Sequence, residues 1–362
     1  MSEARPIRPP AAVRPGPLGW LRRHFFRGPV DTAVTLACLY VLWLAVPPVV
    51  DWALVSAQWS GDSREACTGG GACWVFIRVR LAQFAYGFYP EAERWRVNLA
   101  GLVVAGLVAL LFLPPSRVRR VAALLLTAVS VPGIVVLLAG GVLGLAPVET
   151  REWGGLMVTV FMALYGAILA VPVSLLLALG RQSRLPLVRW LSVVYIEFWR
   201  GVPIIAIIFL ASNLLPLIVP AGVTVDKLLR ALIGLALVIS AYMAEVVRGG
   251  LQAVPRGQYE AARSLGLGYW QGTGLIVLPQ AIRIVIPSLV NEFIALFKNT
   301  TLVLIVSLFD LLGIIQSALA DPKWVGLNLE GYVFAGVVFW VVCFAMSRWS
   351  QRLERRLAQR PH

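Results

Sequence analysis

The sequence predicts an all-α integral membrane protein, on three observations. Of 362 residues, 59% are hydrophobic and 14% charged, with a mean hydropathy of +0.79; soluble domains use roughly 45–50% apolar residues. Apolar runs of about 20 residues, the length a helix needs to cross a hydrocarbon core of roughly 30 Å, recur along the chain. The basic residues gather on alternate connections between those runs, as they do in multi-pass proteins.

Eight predicted spans cover residues 30–50, 97–114, 121–146, 154–179, 201–219, 229–248, 282–308 and 331–349. The tail before them, 1–29, is rich in Pro and Arg and reads as disordered. The first run has the small residues of "VSA" (Val55–Ala57) downstream and Arg22, Arg23 and Arg27 upstream. It is nevertheless longer than the roughly 7–15 residues of a secretory signal core, so an uncleaved helix is the reading. The first three spans enclose an outer loop, 51–96, whose Trp52, Trp59, Trp74, Tyr86, Tyr89 and Trp95 suit a headgroup-level aromatic belt. Pro132, Pro172 and Pro287 fall inside spans, where they either kink a helix for gating or only shape it. Near residue 150 the texture changes: polar residues enter the spans and the inner loops lengthen.

Eight spans put both termini on one side. With the N-terminus inside, the inner segments carry 22 Lys and Arg and the outer segments 9, so both ends are expected in the cytoplasm. The same distribution accounts for the net charge of +14 without nucleic acid, because the arginines border helices and form no single patch. Residue types exclude other chemistries. His24 and His362, both in the polar tails, are the only histidines, which removes a histidine-based triad or metal site within the membrane. Lys227, Lys298 and Lys323 follow Asp226, Phe297 and Pro322, so the chain has no GxxxxGK phosphate loop. Cys38 and Cys343 lie in apolar runs and are expected to pack there. Cys67 and Cys73 flank "TGGGA" in the outer loop: an oxidising compartment would join them across a glycine turn, and the other reading is two free thiols in a mobile loop.

The stretch "EAARSLGLGYWQGTGLIVLP" (Glu260–Pro279) breaks the apolar pattern. On a helical wheel Ala261, Ala262 and Leu265 share one side, with Glu260, Arg263 and Ser264 opposite. Pro255 stands where a helix starts, Glu260 lies early where the dipole favours an anion, and Gly266 stands where a helix stops. The apolar face is small, built to fit a cleft in a partner, whereas a membrane-surface helix carries bulkier anchors.

The pattern EAA, then Gly266, Ile276, Leu278 and Pro279, resembles the EAA signature of permease subunits of bacterial ATP-binding-cassette importers, and every spacing agrees across twenty residues. The segments "YIEFWRGVPIIAIIF" (Tyr195–Phe209), "AYMAEVVRGGLQAVPRGQYEAARSLG" (Ala241–Gly266) and "LPQAIRIVIPSLVNEFIALFKNTTLV" (Leu278–Val303) are similar to the polar amino acid uptake branch. The likeness covers roughly 154–350, and the extra N-terminal helices, with "GACW" and "YPEAERWRV" in their outer loop, look like the longer permease of general L-amino-acid transport systems. "FKNTTL" departs from many relatives, carrying Asn299 and Thr301 where they show Asp and Ser. The resemblance implies a five-helix type I core over 151–350 with its coupling loop at 249–281, behind a three-helix extension over 30–150 and ahead of a cytoplasmic tail, 351–362. It implies that Glu260, Ala261, Ala262, Arg263, Leu265, Gly266, Ile276, Leu278 and Pro279 couple the chain to an ATPase.

The same resemblance implies the partners: two ATPase subunits holding ATP and Mg, a second permease of similar core, a periplasmic amino-acid-binding protein and an L-amino acid. This chain itself would hold no cofactor and perform no covalent chemistry. Ionisable groups at membrane depth usually face a cavity or the bundle interior, so Asn291, Glu292, Lys298, Asn299 and Thr300 are candidate pathway residues. Glu292 and Lys298, six residues and about 240° apart on the helix, do not share a face; the alternative is that they bond to neighbouring helices or hold subunits together. Glu245 and Arg248 can pair at spacing three, as can Glu197 and Arg200 on a short helix along the inner surface. Two other classes compete: an ion-coupled secondary transporter using Glu245, Glu292 or Asp310, and a membrane-embedded enzyme, which the lack of intramembrane histidine and of clustered carboxylates disfavours.

Overall fold

The computed structural model describes residues 16–110, 117–220 and 224–358. Among them there is helix and no strand, only isolated bridges. The chain divides into two compact units, Met1–Val75 and Phe76–His362.

The first unit holds α1 (Pro17–Phe25) and α2 (Pro29–Val50), the latter continuing as a π turn through Val55. The tail read from composition as disordered thus contains a helix, started by Pro17; residues 1–15 lie outside the described residues. In the loop that follows, Cys67 and Cys73 form a disulfide with Cα atoms 5.6 Å apart. Gly71 sits there against the Ser56 carbonyl, where a Cβ would come within 2.2 Å, so only glycine lets the two backbone strips meet.

The second unit opens in α3 (Trp74–Tyr86), a helix in the middle of the predicted outer loop. Two of its aromatic residues pack inward: Phe76 meets Trp324, and Phe84 meets Phe334. Arg80 pairs with Asp321. Then come α4 (Arg94–Leu110) and α5 (Arg117–Ala139). The predicted third span runs to 146, but α5 stops at Ala139, because Gly140, Gly141 and Gly144 take positive φ and turn the chain. Buried Arg96 fastens the turn, pairing with Glu93 at 2.7 Å and donating to the Ala146 carbonyl at 2.7 Å.

The core is α6 (Gly155–Arg181) packed along α9 (Lys227–Ala253), with α12 (Leu278–Asn299) on both. Met162, Leu235, Ile239 and Leu296 fill the centre. Small residues permit the close contacts: a Cβ on Gly250 would lie 2.6 Å from Val285 and 2.8 Å from the Ala281 carbonyl. Between α6 and α9 run α7 (Pro186–Gly201) and α8 (Ile204–Ile218), bent from each other by 104° at Val202–Pro203. Two short helices, α10 (Arg256–Ser264) and α11 (Tyr269–Gly272), form the loop from α9 to α12. After α12 the chain tightens into a 3-10 helix, Thr300–Val306, and breaks at Ser307, which has φ 55°. Helix α13 (Leu311–Leu319) precedes α14 (Asn328–Ala358). The prolines at 132, 172 and 287 all lie inside unbroken helices.

Among the described residues five helices are long and apolar enough to cross a membrane, six if α7 and α8 count as one broken span. All eight predicted runs carry helix, but not all at full length: the apolar part of α5 is Leu125–Ala139 and α4 has 17 residues. Residues 111–114 of the second run lie outside the described residues.

Candidate functional site: the loop from α9 to α12

Helix α9 runs to Ala253, and Pro255, at φ −56° and ψ 138°, turns the chain into α10. The helix stops at the glycine foreseen for it. Gly266 takes φ +74°, its N–H donates to the Arg263 carbonyl at 2.9 Å, and the Leu267 N–H reaches back to the Ala262 carbonyl at 3.1 Å, a Schellman closure. Three contacts fix α10 to its supports. The Tyr259 hydroxyl donates to the Leu251 carbonyl at 2.9 Å, and burial raises its pKa. Gln280 donates to Gln258 at 3.1 Å. Ala262 is 3% exposed, and a Cβ built on Gly272 would stand 3.3 Å from it.

This burial divides the face the wheel assembled. Ala262 points back into the protein, while Glu260, Ala261, Arg263, Leu265 and Gly266 are exposed, Leu265 at 74%. On the return path Val277 is buried with Leu251, Val254 and Ala281, and Leu278 packs against that cluster. The Ile276 carbonyl accepts from Gln280 at 2.9 Å, and Pro279 stands exposed at the start of α12. Tyr269 and Trp270 contact each other edge to face and are both exposed.

Just above this loop lies a charge cluster only half visible in the sequence. Glu245 accepts from Arg248 at 2.8 Å, the expected pair, and from Arg181 of α6 at 2.5 Å. Arg181 also reaches Glu197 of α7 at 3.2 Å. Glu197 therefore pairs with Arg181 and not with Arg200, whose guanidinium lies over the Tyr242 ring at 5.5 Å. The cluster joins α6, α7 and α9 at the base of the loop.

The pathway candidates on α12 are not brought together. Glu292 is half-buried and within the electrostatic reach of Arg200, whereas Lys298 is exposed and acts on Cys343 of α14. Asn291 is exposed and Asn299 half-buried; Thr300 is fully buried, its hydroxyl donating to the Phe297 carbonyl at 2.8 Å. Among the described residues no group of three or more His, Cys, Asp or Glu could hold a metal ion.

Residues 170–359 match the family of the binding-protein-dependent transport system inner membrane component. The chain is 50% identical to the inner membrane amino-acid ABC transporter permease protein YhdY of Escherichia coli, over 99% of this chain and 98% of that one. It is 38% identical to the glutamate/glutamine/aspartate/asparagine transport system permease protein BztC of Rhodobacter capsulatus, over 97% and 96%. A solved structure, described as an amino acid ABC transporter with histidines, aligns at a TM-score of 0.48 with 31% identity, over 56% of this chain and 92% of that one.

Proposed function

The chain belongs to the family of binding-protein-dependent transport system inner membrane components, and from that membership we propose that it is the permease subunit of an ATP-driven importer of L-amino acids, polar or broad in range, in the bacterial inner membrane. The amino-acid class rests on the names of the two relatives that match nearly the whole chain. The chain pairs with a second permease of similar core, docks two ATPase subunits that hold ATP and Mg, and receives its cargo from a periplasmic binding protein. Hydrolysis belongs to the ATPases, and this chain contributes no reacting group.

The observation that carries the reading is the short helix α10, capped by Gly266 at one end, with Ala261, Arg263 and Leu265 outward and Ala262 turned in. Such a helix presents a compact knob to a protein groove while staying joined to α9 and α12. Closure of the ATPases on ATP displaces the knob, and the two long helices convert that displacement into a change of access. Alternating access by rocking of helix bundles is the general behaviour of transporters. Ion coupling finds no support in the family or the relatives. Of the carboxylates that reading would use, Glu245 is already held by two arginines.

The test is uptake into proteoliposomes holding the assembled transporter, with ATP and Mg trapped inside and the binding protein outside. Uptake should require ATP; uptake driven by a proton gradient without ATP overturns the proposal. Gly266→Val tests the loop. No neighbour lies within 4 Å of a Cβ there, so its cost is the left-handed backbone alone, about 1–2 kcal/mol. Uptake should fall at least tenfold with subunit assembly retained, and wild-type uptake from that variant would refute the coupling role.

A further inference from the structure

Helix α7 has two faces that ask for different surroundings. Ser192 and Ile196 are buried against the protein, and the Ser192 hydroxyl lies so near Gly180 that a Cβ there would come within 2.3 Å. On the other side Leu187, Leu191, Val194 and Phe198, spaced as one helical stripe, are each 44–66% exposed, and Trp190 beside them is 61% exposed. Such a stripe is wide enough to seat a helix in an apolar medium.

The bend gives the orientation. If α8 crosses the bilayer, a helix turned 104° from it lies close to the membrane plane. The contacts with α9 agree. The Tyr195 hydroxyl meets Ser240 at 2.9 Å, Tyr242 donates to the Arg200 carbonyl at 3.5 Å, and Arg181 ties Glu197 to Glu245. Those partners span only residues 240–245 of α9, about 8 Å of rise at 1.5 Å per residue, so α7 crosses α9 at nearly one level.

At the N-terminal end of α7 stand Arg184 and Arg189, both exposed, with no carboxylate in salt-bridge range among the described residues. Beside them opens a cleft of about 1000 Å³ between the end of α6 and the coupling loop. Leu176, Leu179 and Leu185 make its apolar wall, Arg184 and Arg263 its basic edge, and Trp270 borders it. An apolar cleft whose lining includes two arginines and a tryptophan is complementary to one molecule of the bilayer: acyl chain in the cleft, phosphate on the arginines, aromatic ring at headgroup depth.

We propose that α7 lies in the inner leaflet as an interfacial helix, and that Arg184, Arg189 and the cleft between α6 and the coupling loop bind an anionic phospholipid. The lipid would touch the loop through Arg263 and Trp270, which places the coupling step under the control of membrane charge. This shares with the functional reading only the membrane placement and the inner side of the loop.

The test uses the assembled transporter, offered phosphatidylglycerol or phosphatidylcholine, with retained lipid read by native mass spectrometry. Phosphatidylglycerol should be held in preference, and Arg184→Gln with Arg189→Gln should weaken it about thirtyfold, the effect of two basic groups at an anionic surface. Equal retention of the two lipids, or retention unmoved by the double variant, overturns the proposal. A nitroxide on Leu191→Cys, with Cys38 and Cys343 replaced by serine, supplies the second readout. Relaxation by membrane-dissolved oxygen is expected, whereas relaxation by an aqueous nickel chelate, or a crosslink from the same cysteine to the second permease, overturns it. ATP-driven uptake measured on the same preparation separates the two readings: charge-selective lipid binding without ATP-driven uptake would count against the importer and not against the lipid site.

Discussion

Asp310 shows how one side chain can be useful and costly at once. It caps α13, its Oδ1 accepting from the Gly313 N–H at 2.9 Å, while Oδ2 is buried with no hydrogen-bond partner. Burial pushes its pKa up to about 6 from 3.8. A carboxyl raised in the fold contributes stability below its unfolded pKa, and that stability is lost as pH rises toward the folded value. The detergent-solubilised protein should therefore lose about 3 kcal/mol of stability from pH 4 to 6 at this site and little beyond. Asp310→Asn, which keeps the cap, should flatten that part of a melting curve against pH; an unchanged slope would show that Asp310 is not its source. Nothing in the sequence marked this burial, because the groups that cover Asp310 come from distant parts of the chain. Pro255 and Gly266 were legible for the opposite reason: each acts on its own backbone within one turn. The pair Glu245–Arg248 was visible at spacing three, but the bond from Arg181 crosses 64 positions and no spacing rule reaches it.

Among elements, α9 meets α12 closely at Gly250. Gly250→Val would push a side chain into Val285 and the Ala281 carbonyl, and overpacking of this kind costs about 1–3 kcal/mol. The variant should melt earlier, and a partial recovery with Val285→Ala would locate the strain at that contact; a wild-type melting point would mean the helices can part freely. Hydropathy found the long helices because length and apolarity are local. It began a span at 201 and left the segment of Glu197 and Arg200 as a separate short helix, and the chain bends by 104° at Val202–Pro203, where the two meet. It passed over α3, whose arginines made it look like loop; the helix earns its place by packing Phe76 and Phe84 on residues that lie some 250 positions on.

For the molecule as a whole, the distribution of 22 against 9 basic residues sets the expected orientation. A tag on either terminus should be spared by protease added to intact spheroplasts and removed once they are opened, and digestion from outside would reverse the topology. That expected orientation would put Cys67 and Cys73 in the periplasm, where a disulfide persists. The division of the compact units at Val75 was not legible, because packing of α3 with later helices does not register in composition.

The fastening of α10 has a mechanical meaning. Tyr259 holds it to α9, Gln258 to α12, and Ala262 seats it against Gly272. A tip on a slack tether would behave as a soft spring in series, absorbing the stroke of the motor in its own extension. In the importer proposed above, a tip tied at three points would have little compliance, and a displacement imposed on it would arrive at the long helices undiminished.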